Sequence, residues 1–138
     1  MKSRGIVFSI IIASAAIFSL GRCTKEETPG ALMLTTLVTD GGIVLNAPAS
    51  AVDVPLNASV VATFNKAVMP TSATNLAISL SADGNKVSSA ITVNGTIITI
   101  DPVNDMTTAT NYTVTITSSL KATDGGAAFA STFTFKTL

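Results

Sequence analysis

Beyond residue 43 the chain is a succession of short runs in which apolar and polar residues alternate, each run closed by Gly, Pro, Asn or Asp. A period of two sends successive side chains to opposite faces of a strand, so each run buries one face only. No window carries a sustained helical period. The runs fall at 43–47, 58–64, 76–80, 87–93, 96–100, 112–117 and 129–137. In 58–64 the apolar set is Val60, Ala62 and Phe64; in 76–80 it is Leu76, Ile78 and Leu80. Tyr112, Val114 and Ile116 share a face, with threonines on the other, and Phe129, Phe133 and Phe135 line the last run. Asn94-Gly95 between two alternating runs predicts a hairpin closed by a type I′ turn, because both residues tolerate positive φ. Pro102 ends the run before it, since proline cannot donate to a central ladder. About seven short strands in fewer than a hundred residues read as an all-β fold, an antiparallel β-sandwich.

The only cysteine, Cys23, precludes a disulfide inside the domain, so a hydrophobic core must hold it together. What precedes Cys23 has the layout of an export signal. Lys2 and Arg4 supply a positive start, and residues 5–20 form an uncharged apolar run. That run is shorter than the ~20 residues a membrane-spanning helix needs, which favours a cleaved leader over an anchor. Leu20-Gly21-Arg22-Cys23 resembles a bacterial lipobox, with Leu at −3, a small residue at −2 and Cys at +1 of the cleavage site. Arg22 stands where a lipobox prefers Gly, Ala or Ser. The resemblance implies a signal peptide over 1–22 and Cys23 as the lipid attachment site and new N-terminus. Two or more acyl chains on one cysteine meet the two-signal requirement of stable anchoring. Lys25, Glu26 and Glu27 follow at once, and resemble the export signal that carries some lipoproteins to the outer face of the outer membrane. The plain alternative is a solvated, charged tether.

Residues 23–42 are therefore expected to be the lipidated N-terminus and tether, and 43–138 the folded domain. Within the tether, 31–39 is apolar enough to be either a short strand or a stretch packed on the domain, before Asp40-Gly41-Gly42 breaks it.

Composition narrows the function. The precursor has eight basic and eight acidic residues; losing Lys2, Arg4 and Arg22 leaves the mature chain at −3. No basic patch remains for phosphates, which excludes a nucleic-acid partner. The chain has no histidine, so a Ser-His-Asp triad is impossible and the commonest metal ligand is missing. With Cys23 taken by lipid, thiol chemistry goes as well. Asp101, Asn104, Asp105 and Asp124 are oxygen donors near turns, but their spacing is not that of a calcium loop, and turn chemistry accounts for them. No catalytic, cofactor or metal residue is assigned. The single tyrosine, Tyr112, is expected to hydrogen-bond upstream backbone in a tyrosine-corner-like role. The threonines at 113, 115, 117, 132 and 134 are expected on a solvent face, where β-branched residues are favoured, or as a flat array for a polysaccharide or ice.

The run from 43 to 138 also resembles the SbsA-type bacterial Ig-like domain. The matching pieces are Pro48 with Val54-Pro55, residues 62–68 (ATFNKAV), Asp101-Pro102, residues 110–114 (TNYTV), Asp124-Gly125-Gly126 and residues 133–137 (FTFKT). Met106 stands where the family carries an apolar residue, whereas the Asn often seen after the Asp-x-x-Gly stretch is absent. The resemblance implies an Ig-like sandwich and a spacer or binding role in surface proteins. The expected function is thus a non-catalytic, lipid-anchored envelope module, structural or adhesive, with a surface protein or polysaccharide as partner. The rivals are an accessory lipoprotein that binds glycans or another surface polymer, and a piece of a longer multi-domain surface protein.

Overall fold

A computed structural model describes residues 27–47, 49 and 51–138. Among the described residues, eight strands form two antiparallel sheets. They are β1 (Leu34–Thr39), β2 (Val60–Phe64), β3 (Ile78–Ala82), β4 (Asn85–Lys86), β5 (Ser89–Asn94), β6 (Ile97–Pro102), β7 (Asn111–Ile116) and β8 (Ser131–Lys136). The first sheet runs β1-β2-β6-β5 and the second β4-β3-β7-β8. One 3₁₀ turn, Pro70–Ser72, interrupts the connection from β2 to β3. The β-sandwich expected from the alternation is the observed architecture.

The core follows from that alternation. Val60, Ala62 and Phe64 of β2 and Ile98 and Ile100 of β6 point inward from one sheet. Ile78 and Leu80 of β3, Tyr112, Val114 and Ile116 of β7, and Phe135 of β8 meet them from the other. Every buried side-chain nitrogen or oxygen among the described residues has a hydrogen-bond partner.

Four local expectations need correction. Residues 43–47 are not the first strand: only Val44 bridges, to Val38, as the chain doubles back on β1 through a turn with Gly42 at φ 86°. The first strand is β1, inside the segment expected to be tether; Leu32 and Leu37 are buried, so the folded unit begins well before residue 43. Leu76 is 78% exposed, because Thr74 accepts hydrogen bonds from the backbone of Ala77 and Ile78 and the strand starts only after that turn. Phe129 is 65% exposed for a similar reason, since β8 begins at Ser131.

The hairpin at Asn94-Gly95 is present, but its turn is displaced by one residue. Asn94 pairs with Ile97, so Gly95 and Thr96 are the central residues. Only Gly95 has positive φ (59°), which is the pattern of a type II′ turn. The Gly95 and Thr96 carbonyls accept from the Val68 and Phe64 N–H groups, and these bonds fix the turn against the end of β2. The type I′ pattern occurs instead at Asp83-Gly84, both at positive φ (47° and 82°), between β3 and β4.

The described chain enters and leaves the sandwich at opposite ends. Leu32 bridges Ala128, just before β8 begins opposite Ile116. Lys136 lies opposite Asn111 at the far end of β8, and Leu138 accepts there from Ala109. Six strand residues separate the two ends, roughly 20 Å at about 3.3 Å per residue.

Candidate functional site

The residues expected to carry anchoring divide at the boundary of the described chain. Cys23, Lys25 and Glu26 lie outside the described residues, as does the 1–22 leader. Glu27 is exposed and in no regular element.

What the structure does show is how the chain is gripped immediately afterwards. Asn65, just past β2, takes the place of a neighbouring strand. Its Oδ1 accepts from the Met33 N–H (2.8 Å), its Nδ2 donates to the Ala31 carbonyl (3.4 Å), and its own N–H donates to the Met33 carbonyl (3.0 Å). Lys66 Nζ donates to the Gly30 carbonyl (2.9 Å) and to Asp124 Oδ2 (2.7 Å). Asp124 Oδ1 accepts in turn from the Gly126 N–H (3.0 Å). Between these contacts Leu32 is buried, and its N–H donates to Ala127 (3.0 Å). Residues 30–33 are thereby tied to two loops far apart in sequence and to the core.

The Lys66–Asp124 pair is partly exposed, so its contribution is modest and sensitive to salt. The Lys66 hydrogen bond, helped by the Gly126 N–H, holds the Asp124 carboxyl below its ordinary value of 3.8. A depressed carboxyl contributes stability that is full above the ordinary value and is lost as pH falls through the folded one. Asp124→Asn is therefore expected to lower the urea midpoint slightly at neutral pH. The difference from the native protein should vanish below the carboxylate range and shrink in high salt.

The acidic candidates are not brought together. Asp124 is engaged with Lys66, and Asp101 Oδ1 accepts from the Ser59 hydroxyl (2.8 Å). Among the described residues no three Asp, Glu, Cys or His side chains converge as a metal site would require. Tyr112 does what its position predicts: its hydroxyl accepts from the Thr107 N–H (2.7 Å), and its ring stacks on Phe135 at 5.6 Å.

The threonines form cross-strand rows on the outer face of the second sheet. Ser81, Thr113 and Thr134 make one row, and Ser79, Thr115 and Thr132 the next. The hydroxyls of Thr113 and Thr134 are 3.3 Å apart. A second surface feature had no signal in the sequence. An open groove of about 310 Å³ lies between β1 and β8, lined by Met33, Leu34, Asn46, Phe129, Ser131 and Phe133. It brings together residues almost a hundred positions apart. Asn65 and Lys66 as a clamp were equally hidden, because their partners at 30–33 and 124 lie 32 or more positions away.

Residues 43–137, most of the chain, match the family model of the bacterial Ig-like domain. The chain belongs to the bacterial Ig-like domain family. The match begins after β1, so this member's first strand precedes the matched region. Among solved structures, the Ig-like domain is similar to the N-terminal part of the bacterial S-layer protein SbsC (TM-score 0.54, 21% identity), covering 78% of this chain and 23% of that one. It is also similar to the S-layer protein rSbsC(31-844) (0.54, 20%), covering 78% and 14% respectively. Domains 1-6 of the surface layer protein SbsC match as well (0.53, 22%), with 77% and 13% covered. At these identities the likeness is one of fold, and the chain spans less than a quarter of those proteins' length. No curated protein matches it.

Proposed function

We propose that this Ig-like domain is a non-catalytic spacer or adhesive module of the bacterial envelope, held to the outer membrane by lipid on Cys23 and displayed at the surface through Lys25, Glu26 and Glu27. The observation that carries the reading is the mechanical layout. The N-terminal segment meets the sandwich at one end and is clamped there at residues 30–33, with residue 136 at the opposite end of β8. Such a layout passes load from an N-terminal tether through the clamp into the body of the sandwich. The fold shared with S-layer domains supports a surface role.

Cys23→Ala is expected to leave the sandwich intact, because the core is built from residues 32 onward, and to move most of the protein from the membrane fraction to the soluble one. Fractionation, with intact-mass measurement of the native protein, checks this. A mass that starts at Cys23 and carries acyl chains supports the anchor; continued membrane retention of the variant counts against it.

A second reading, capture of a glycan or another surface polymer, draws on the groove beside the clamp. Its volume is at the low end of ligand pockets, and Phe129 and Phe133 give it the aromatic lining that stacking on a sugar requires.

A further inference from the structure

The four sheet edges are not treated alike. β1 has a register shift between Leu34 and Thr36, and Leu37 accepts from Leu45 as the chain folds back over it. β8 is covered over its C-terminal half, where Lys136 donates to Ala51 and accepts from Val54. β4 is only two residues long and ends in Lys86. These are the usual devices that stop an edge from pairing with another chain. β5 has none of them. It is six residues long, in register with β6 throughout, and contains no charge, proline or glycine.

The direction of its free hydrogen-bonding groups follows from one contact. Val103 N–H donates to the Ser88 carbonyl, so residues 88, 90, 92 and 94 face β6. The main-chain groups of Ser89, Ile91 and Val93 then point away from the sheet. Among the described residues nothing pairs with them. The side chains of Ile91 and Val93 lie over Ile100 and Ile98 on the inner face, yet stay half-buried at this open flank.

We infer that β5 is a self-association edge, at which a second copy of this chain pairs antiparallel with it. A two-fold axis at Ile91 sets Ile91 against its own copy and Ser89 against Val93 of the second chain, so the outward groups meet as hydrogen-bonded pairs. Ala90 then faces Thr92 on the outer side. Self-pairing sets a strand against its own residues, and a strand without charge brings no like charges together. The two first sheets merge into one continuous sheet, and the half-buried flanks of Ile91 and Val93 are covered. Nothing in this inference depends on lipid anchoring. The contact is small, so it is weak in dilute solution and favoured where copies are concentrated.

The test is sedimentation equilibrium of the full chain in a density-matched mild detergent, up to about 100 μM, a range suited to weak association. Expected is a concentration-dependent rise from the mass of one chain to that of two. The A90K/T92K variant sets lysine against lysine across the axis and should raise the dissociation midpoint at least tenfold. A90K/T92E sets lysine against glutamate and should restore pairing. Circular dichroism verifies folding, and the Ile91 and Val93 amides should exchange more slowly in concentrated than in dilute native protein. A single-chain mass throughout, association unaffected by A90K/T92K, or concentration-independent exchange at Ile91 and Val93 would each overturn the inference.

Discussion

Replacing Tyr112 with alanine is expected to cost about 3–5 kcal/mol, the range for deleting a buried aromatic side chain. A domain of this size has ~5–15 kcal/mol in total, so the variant should be largely destabilised at ambient temperature. The reason is that Tyr112 does two things. Its ring packs on Phe135 in the core, and its hydroxyl holds the loop that leads into β7 through Thr107. Tyr112→Phe keeps the first and removes the second, and should cost ~1–2 kcal/mol, the value of a lost hydrogen bond that leaves a donor short of a partner. Buried Thr137 holds the same loop from the other side. Its hydroxyl donates to the Thr107 carbonyl (2.6 Å) and accepts from the Thr110 N–H (3.0 Å). Because both side chains fix Thr107, Tyr112→Phe and Thr137→Val should be non-additive, with a coupling of at least ~0.5 kcal/mol in a urea-unfolding cycle. Strict additivity would show that the two contacts act on separate parts of the loop.

The second large effect is expected at Gly126. This residue is buried, and a Cβ added there would run into the backbone carbonyl of Gly30, with Asp124 Oδ1 close by at 3.2 Å. Gly30 cannot simply retreat, since Lys66 holds its carbonyl and Leu32 is anchored in the core two residues on. Gly126→Ala is therefore expected to displace residues 30–33 and to cost about 1–3 kcal/mol, as overpacking typically does. The signature is local: faster amide exchange at Leu32 and Met33, and earlier proteolysis of the N-terminal segment than of the sandwich. Gly41→Ala is the control, because the nearest atom to its added Cβ is 3.7 Å away. Equal exchange at Leu32 in native and Gly126→Ala protein would mean that the N-terminal segment is not clamped where the structure places it.

The alternation at 60–64, 112–116 and 133–135 determined which side chains are buried, because on a strand an inward position is decided by parity alone. The same parity over-extended the strands at Leu76 and Phe129, where the regular pleat begins two residues after the pattern does. Asn94-Gly95 marked a hairpin, but the choice between a turn at 94–95 and one at 95–96 belonged to β2 and residue 68, whose N–H groups bind the carbonyls of Gly95 and Thr96. The segment 31–39 was ambiguous for a similar reason. Apolar character makes it fit to pack, but only the free edge of β2 and the side chain of Asn65 turn it into a strand. Residue pattern is thus enough for the architecture, the face each strand buries and the lack of any histidine-based chemistry. Where the folded unit begins, how residues 30–33 are clamped by side chains 32 or more positions away, and which sheet edge stays bare depend on long-range packing. Local residue types set local geometry, whereas contacts between distant segments exist only once the two sheets have closed over a common core.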